Sequence, residues 1–406
     1  RQVEEQERLV RQRRKVHRRL TRQRMVGRQH RVRMELAQRL HLDVGRRRER
    51  VGQRHLDAPL GEALQDLVLV ALLQRHQDAG VQLGERAEKV GHVSDCQCRE
   101  RADYHLPRQP LAEIAREVLP AGLFNIVTGD GRGAGDAIVR HPRIKRIAFI
   151  GSPQTGRAIQ RAAAEVTVKH ISLELGGKNP MIVFPDCDPE KVAAAAVMGM
   201  NFSWQGQSCG SLSRLLLHED IHDKVLEALV ERVRALKMGD PLSETTDVGP
   251  VNSAGHRDRI MAHIANADAD GARRLAGGGR PKGAEFERGY WVEPTVYAGV
   301  TPDLRLWQQE VFGPVLAVGR WRDFDEAVTM ANSTEYGLTG AVWTNDITSA
   351  LRMARRIRSG HIWVNGSSLH FLGVPFGGMK TSGIGREEGR EELYSYTEAK
   401  TINIML

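Results

Sequence analysis

An α/β fold with a parallel sheet is predicted for most of this chain, from residue 106 to residue 406. Two observations predict it. Short apolar runs alternate with amphipathic segments from Leu111 onward, and that order is typical of strand–helix–strand units. Some of these runs end in glycines or small polar residues, where parallel sheets bind ligands. At 406 residues, 41% of them hydrophobic, the chain is long enough for two domains with buried cores.

The elements follow one another closely. A helix is predicted at 111–119, because its apolar residues recur at helical spacing. A buried strand is predicted at 122–127, a turn at 129–133 and a short helix at 135–142 that Pro142 ends. A second buried strand follows at 144–151, a helix at 152–165 and a third strand at 170–175. These elements make up βαβ units.

The first 105 residues have a different composition. They carry 24 basic residues against 15 acidic ones, which accounts for the whole net charge of +9, and Tyr104 is their only aromatic residue. One apolar stretch, 63–73, suits a short buried helix. Three interpretations stay open: a sequence translated from the wrong frame or strand, a disordered or helical arm, and a nucleic-acid-binding arm. The first is favoured, and nucleic acid is not the expected partner because aromatic interleaving and known motifs are lacking.

Two glycine-containing turns are candidate phosphate sites. The sequence GSPQTG at 151–156 follows a predicted strand and opens a predicted helix, so its backbone and Ser152 can face an anion. A plain capped helix without a ligand is the alternative. The pattern Gly129-x-Gly131-x-x-Ala134 also fits a relaxed dinucleotide-binding fingerprint, which is a weak signal by itself.

Two further segments carry chemically reactive side chains. Glu174 ends an apolar strand and precedes two glycines. Such a carboxylate is either solvated or partly desolvated, and desolvation would raise its pKa towards the range of a general base. Cys209 lies in QGQSCGS among small polar residues and glycines, a setting that can lower a thiol pKa and hold an oxyanion. An inert buried thiol is the alternative reading of any free cysteine.

The remaining cysteines suggest no metal centre. Cys96 and Cys98 have no second pair at zinc spacing, and Cys187 lies between two aspartates, which disfavour a thiolate. Four cysteines do not form a disulfide framework for this length, so a cytoplasmic location is expected. We also expect no membrane span and no signal peptide, because no apolar run is long enough.

Together these segments resemble the active-site signatures of the aldehyde dehydrogenase superfamily. LELGGKNP at 173–180 and GQSC at 206–209 carry the likeness, and further motifs follow in the family's order. They are GYWVEPT at 289–295, EVFGPV at 310–315, YGL at 336–338 with VWT at 342–344, SG at 359–360 with WVN at 363–365, and PFGGMKTSG at 375–383. The likeness covers the chain from about residue 111 to its end.

The resemblance implies roles for individual residues. Cys209 would attack an aldehyde, and Glu174 would activate the water that releases the acid. Glu310 would hold the nicotinamide ribose, with Phe312 against the ring, and Trp204 and Asn365 would line the aldehyde tunnel. The residues expected to contact the cofactor are Gly131, Gly151, Ser152, Thr155, Gly156, Leu175, Glu310 and Phe312. Taken alone, Glu310 would read as a solvated charge and Phe312 as a core ring.

The resemblance also implies an organisation. We expect the remaining part of a cofactor domain at 106–176, a catalytic α/β domain at 177–384 and an oligomerisation segment at 385–406, with a strand at 396–404. The expected cofactor is NAD, with NADP possible. The expected partners are a small-molecule aldehyde and further copies of the chain, in a dimer or tetramer.

The sequence departs from the family in its first part. Residues 1–110 contain neither the Pro-Trp-Asn segment that completes the family's oxyanion hole nor its Lys-Pro-Ser segment. The cofactor domain is therefore expected to be incomplete and this chain to be weakly active or inactive. The alternative function is a non-catalytic remnant or binding protein of the same fold.

Overall fold

In the computed structural model, residues 119–120, 122–127, 129–371 and 373–405 are described. The basic segment 1–105, the helix expected at 63–73, Cys96 and Cys98, and residues 111–118 of the first predicted helix lie outside the described residues.

The described strands form two sheets. The strands are β1 Arg146–Ile150, β2 His170–Glu174, β3 Pro180–Val183, β4 Arg214–His218, β5 Arg273–Ala276, β6 Thr295–Ala298, β7 Val315–Trp321, β8 Thr339–Trp343, β9 His361–Val364 and β10 Gly383–Ile384. Their orders are β1-β2-β10 and β5-β6-β7-β4-β3-β8-β9. All neighbours pair in parallel except β2 with β10 and β5 with β6. This confirms the predicted α/β fold with parallel strands.

Helices connect the strands. They are α1 Asp136–Arg140, α2 Pro153–Ala164, α3 Pro189–Gly199, α4 Glu219–Arg234, α5 Ala254–Ala269, α6 Arg305–Gln308, α7 Phe324–Asn332, α8 Ile347–Arg356 and α9 Arg390–Tyr394. Most begin at a side-chain cap. Ser152 caps α2 and Ser253 caps α5, each by accepting a hydrogen bond from a backbone N–H of the first turn.

The first sheet follows the predicted order of strand, helix and strand. β1 and β2 pair in parallel, with Ile150 opposite Glu174, and α2 lies between them in the chain. The strand predicted at 144–151 is confirmed as β1, but only alternate residues of it are buried. Ile147 and Phe149 are buried against α2, but Ile150 is 56% exposed, because successive side chains point to opposite faces.

The strand predicted at 122–127 is absent. These residues form a turn and an irregular stretch in which the Leu123 N–H donates to the carbonyl oxygen of Pro120. Apolar composition is not sufficient for a strand, because a strand also needs a neighbour to complete its hydrogen bonds. The short helix predicted after it is confirmed, since α1 ends at Arg140 ahead of Pro142.

The second sheet is buried on both faces at its centre. In β3, Met181 and Val183 pack into the cluster that contains α3 and α4 residues, and Ile182 packs into the cluster on the other face. The sequence of a strand that is buried on both faces is typically a continuous run of apolar residues. The loop from β2 to β3 crosses from the first sheet to the second. Glu174 ends β2, and Gly176 and Asn179 lie on the crossing loop.

Arg214, the first residue of β4, bonds three backbone carbonyl groups and packs on an aromatic ring. Its guanidinium donates to the carbonyl oxygens of Lys178, Met330 and Ala331 at 2.7, 2.8 and 2.7 Å. It also lies over the ring of Trp307, with 4.9 Å from Cζ to the centroid. Arg214 is 1% exposed, so water cannot replace these bonds.

Replacing Arg214 by methionine should therefore lower the free energy of unfolding by about 3 kcal/mol, because three buried carbonyl groups lose their donors. Urea denaturation followed by circular dichroism measures the change. Arg322→Met is the matched control, because the Arg322 side chain is 72% exposed in a single ion pair, and we expect a change below about 0.5 kcal/mol. Equal stability of the two variants would contradict the prediction.

The strand predicted at 396–404 does not form within this chain. Residues 398–405 have no assigned secondary structure, and Ile402 and Ile404 are 77% and 76% exposed. A single strand has no ladder to join unless another strand lies beside it. Pairing with a second copy of the chain stays a prediction.

Candidate active site

Gly176 and Gly177 bring three functional segments together. A Cβ on Gly176 would lie 2.2 Å from Oε2 of Glu310, and one on Gly177 would lie 2.4 Å from the carbonyl oxygen of Cys209. The Gly177 N–H donates to Oε1 of Glu310 at 2.9 Å. The two glycines after Glu174 are therefore required by close approach, and they place the end of β2 against both Glu310 and the Cys209 loop.

Glu174 is enclosed at the end of β2. It is 3% exposed, and in the described part of the chain neither carboxylate oxygen has a hydrogen-bond partner. Burial raises the pKa of Glu174 to about 8, and the charge of Glu387 adds to the rise while Arg386 opposes it. A Cβ on Gly377 would lie 2.7 Å from Oε1 of Glu174, so the backbone there covers the carboxylate. Of the two alternatives, the structure has the desolvated carboxylate, not the solvated one.

Cys209 lies in a tight loop that enters β4. The 3₁₀ turn Phe202–Trp204 precedes it, and Asn201, Gln205 and Gly206 all have positive φ, at 57°, 54° and 63°. Gly206 is required by contact as well, since its Cβ would lie 2.2 Å from the carbonyl oxygen of Gly313. The cysteine is partly buried and free.

The expectation of a lowered thiol pKa is not met in this structure. Burial raises the pKa of Cys209 to about 11, and the carboxylates of Glu310 and Glu174 add to the rise. The backbone N–H groups of Cys209 and Gly210 favour the thiolate but are outweighed. No local pattern around Cys209 reveals the two nearby acids, Glu310 and Glu174, which disfavour a second negative charge. The resting form is therefore a thiol whose proton the neighbouring carboxylates of Glu310 and Glu174 help to retain.

Asn179 is a site residue that the sequence analysis quoted without giving it a role. Its Nδ2 donates to the carbonyl oxygens of Cys209 and Ser211 at 2.7 and 2.9 Å. Its Oδ1 accepts from the Thr339 N–H at 3.0 Å. The buried amide thus fixes the cysteine loop to the start of β3 and to β8. Its place directly after the glycine pair and lysine was the only sequence signal.

Glu310 is held at the same junction. Burial raises its pKa to about 7, although the Gly177 N–H and the charge of Lys178 favour the carboxylate. Lys178 is buried, its Nζ has no hydrogen-bond partner in the described part of the chain, and burial lowers its pKa to about 7. The alternative reading of Glu310 as a solvated surface charge is wrong.

The predicted phosphate segment lies at the start of α2. The Thr155 N–H donates to Oγ of Ser152 at 3.2 Å, and the two hydroxyl oxygens are 2.9 Å apart. A Cβ on Gly156 would lie 2.9 Å from Cδ2 of Leu175, and one on Gly151 would lie 2.5 Å from Cζ of Phe149. Both glycines therefore serve close packing, and the capped helix start can accept an anion.

Two other predicted cofactor residues lie in different surroundings. Leu175 is buried in the core cluster of the first sheet. Gly131 is exposed at the start of the π-helical turn Gly131–Gly135, and a Cβ added to Gly131 would meet nothing within 4 Å. The Asp130 carboxylate beside it accepts from the Gly133 N–H at 2.6 Å. Cofactor contacts at Leu175 and Gly131 stay predictions.

The two predicted substrate residues differ in their surroundings. Trp204 is 64% exposed. The amide of Asn365 bonds the backbone of Thr344 in both directions, at 3.0 and 2.9 Å. Asn365 therefore holds the loop after β9 to the end of β8, and its role as a tunnel residue stays a prediction.

The described residues include no group of three or more His, Cys, Asp or Glu side chains arranged to hold a metal ion. Among them there is also no helix with the length and apolar character that crossing a membrane requires.

Comparisons with known proteins match the part of the chain that contains these site residues. A sequence model described as "Aldehyde dehydrogenase family" matches residues 106–402. The chain is 45% identical over 300 residues to the aldehyde dehydrogenase tropH of Talaromyces stipitatus, which covers 73% of this chain and 58% of that protein. It is 42% identical over 295 residues to a betaine aldehyde dehydrogenase of Brucella anthropi, which covers 72% and 60%.

Solved structures give the same result. An NAD-dependent aldehyde dehydrogenase from Sinorhizobium meliloti is 41% identical with a TM-score of 0.70, over 72% of this chain and 58% of that one. A betaine aldehyde dehydrogenase from Staphylococcus aureus in complex with NAD+ is 39% identical with a TM-score of 0.69, over 71% and 58%. The chain thus spans a little under two thirds of the length of the relatives it matches.

Proposed function

Since this chain belongs to the aldehyde dehydrogenase family, we propose that it oxidises an aldehyde to a carboxylic acid with NAD+. One observation carries the proposal. The crossing loop from β2 to β3 packs a buried, unpartnered carboxylate, the Cys209 loop and the Glu310 carboxylate around one pair of glycines. This is the set of groups that covalent oxidation of an aldehyde needs.

Cys209 is the proposed nucleophile. As its sulfur bonds to the aldehyde carbon, the sulfur–hydrogen bond breaks and the thiol proton passes to solvent water. The product is a thiohemiacetal, whose oxygen can accept from the Cys209 backbone N–H. Loss of a hydride from its carbon leaves a thioester on Cys209.

Glu174 is the proposed base for release. It takes a proton from a water molecule, whose oxygen adds to the thioester carbon. The carbon–sulfur bond then breaks, the carboxylic acid leaves, and the Cys209 sulfur takes the proton that Glu174 holds, which restores both groups. A carboxylate with a pKa of about 8 is a stronger base than an exposed glutamate, so its burial suits this step.

The cofactor residues fit a dinucleotide. NAD+ supplies hydride acceptance when it is bound. Ser152, Thr155 and Gly156 lie at a helix start that would hold phosphate groups. Glu310 offers partly buried carboxylate oxygens to a ribose, and Phe312 offers a ring. NADP as an alternative stays a proposal.

The substrate and the assembly are also proposals. An aldehyde small enough for a tunnel past Trp204 is expected, and the relatives named for betaine aldehyde add that compound to the candidates. The segment 385–406, with its exposed Ile402 and Ile404, is the proposed contact in a dimer or tetramer. We further propose that 106–176 belongs to the cofactor domain and 177–384 to the catalytic domain.

The test is aldehyde-dependent formation of NADH by the purified protein. We expect weak turnover with at least one of three substrates, an aliphatic aldehyde, an aromatic aldehyde and betaine aldehyde, and loss of that turnover after treatment with iodoacetamide. Binding of NAD+ without turnover of any of them would contradict the proposal and favour a non-catalytic binding protein.

A further inference from the structure

Phe312 has a backbone conformation that a bulky residue rarely adopts. Its φ is 53°, in the left-handed region, where a side chain with a Cβ is disfavoured. Such a residue persists only where its neighbours hold it in place. The conformation turns the chain sharply between Glu310, which bonds the Gly177 N–H, and Gly313.

Two residues of helix α5, His256 and Ile260, hold Phe312 and Gly313 in this conformation. Nε2 of His256 lies 2.7 Å from the carbonyl oxygen of Phe312. The two rings are also in edge contact, with centroids 6.0 Å apart and an interplanar angle of 66°. One turn later on the same helix, Ile260 packs on the next residue, since a Cβ on Gly313 would lie 2.6 Å from Cγ1 of Ile260.

The hydrogen bonds of His256 determine which nitrogen carries the proton. Nη2 of Arg259 lies 3.1 Å from Nδ1. A guanidinium has donors only, so Nδ1 is the acceptor and Nε2 bears the hydrogen. Nε2–H therefore donates to Phe312. Burial lowers the pKa of His256, and Arg259 lowers it further while the bond to Phe312 opposes them, which agrees with a neutral ring.

The position of His256 on its helix is fixed too. It lies in the first turn of α5, where its N–H donates to Oγ of the capping Ser253 at 3.2 Å. His256 is buried, so no water competes for the Phe312 carbonyl. The donor is thus anchored from three sides, by Ser253, Arg259 and the ring of Phe312.

We propose that His256 is a positioning residue for Phe312: its Nε2–H holds the left-handed turn and so presents the Phe312 ring to the nicotinamide ring of the bound cofactor. The part that concerns the cofactor rests on the proposed function. His256 need not touch substrate or cofactor, because it acts through Phe312 alone.

The test compares three variants of the full chain. His256→Leu keeps bulk and removes the donor, whereas His256→Gln keeps an N–H at the position of Nε2. His263→Leu removes a partly buried imidazole two turns further along α5 and serves as the control for loss of a ring from that helix. Hydrogen–deuterium exchange of the peptide 309–316 measures how stable the turn at Phe312 is. Quenching of tryptophan fluorescence measures NAD+ affinity.

We expect faster exchange at 309–316 and NAD+ affinity weakened about tenfold in His256→Leu, with both near wild type in His256→Gln and His263→Leu. Unchanged exchange in His256→Leu, equal effects in His256→Leu and His263→Leu, or failure of His256→Gln to restore both readouts would overturn the proposal. So would faster exchange with unchanged affinity. Faster exchange in a protein whose wild type binds no NAD+ would support the hold on Phe312 and refute the proposed function instead.

Discussion

Cys209→Ala is expected to reduce aldehyde-dependent NADH formation by about 10⁴-fold or more, because no thiohemiacetal can form without the sulfur. Cys187, the other described cysteine, cannot take its place. It lies beside Asp186, and burial raises the pKa of Cys187 to about 12, with the charge of Asp186 adding to the rise. Initial rates at saturating NAD+ measure the effect.

Cys187→Ala is the matched control and should retain wild-type rates. A Cys209→Ala variant that keeps more than about one per cent of the activity would show that another group forms the covalent bond. NAD+ affinity should survive in Cys209→Ala, which separates loss of chemistry from loss of folding.

Glu174→Gln is expected to slow release of the acid by about 10²- to 10⁴-fold, because the amide cannot take a proton from water. Acylation should survive better than release, so the variant should give a burst of NADH near one equivalent per site followed by slow turnover. Rapid mixing followed by NADH absorbance resolves the two phases.

The pH profile tests the same residue. A general base works in its deprotonated form, and the pKa of Glu174 is raised to about 8. The rate of acid release by the wild type should therefore rise as pH increases towards 8 and level off above it. This rising limb of the pH profile should be absent in Glu174→Gln. Glu391→Gln, which removes an exposed carboxylate on α9, should keep the wild-type limb. A limb that persists in Glu174→Gln would assign the base to another group.

Local patterns predicted the elements that local chemistry determines. The residues from 144 to 175 carry a strand, a Ser152 cap, a helix and a second strand within one continuous stretch, and β1, α2 and β2 form there. Glu174 was identified correctly as a candidate for desolvation, because a charge that ends an apolar strand before two glycines has few ways to reach water.

The features that sequence analysis missed depend on contacts between distant parts of the chain. Among the described residues, no strand lies beside the segment 122–127 or beside the segment 396–404, where strands were expected. Burial raises the pKa of Cys209, and the charge of Glu310, about a hundred residues further along the chain, adds to the rise. The hydrogen bond from His256 to Phe312 joins residues 56 positions apart, and no local sequence pattern predicts it.

The most direct test of the covalent mechanism is peptide mass analysis of Glu174→Gln quenched in acid after mixing with an aldehyde and NAD+. The mechanism predicts an acyl group on the peptide that contains Cys209, in an amount that matches the NADH burst. NADH formation with an unmodified Cys209, or with the acyl group on Cys187, would contradict it.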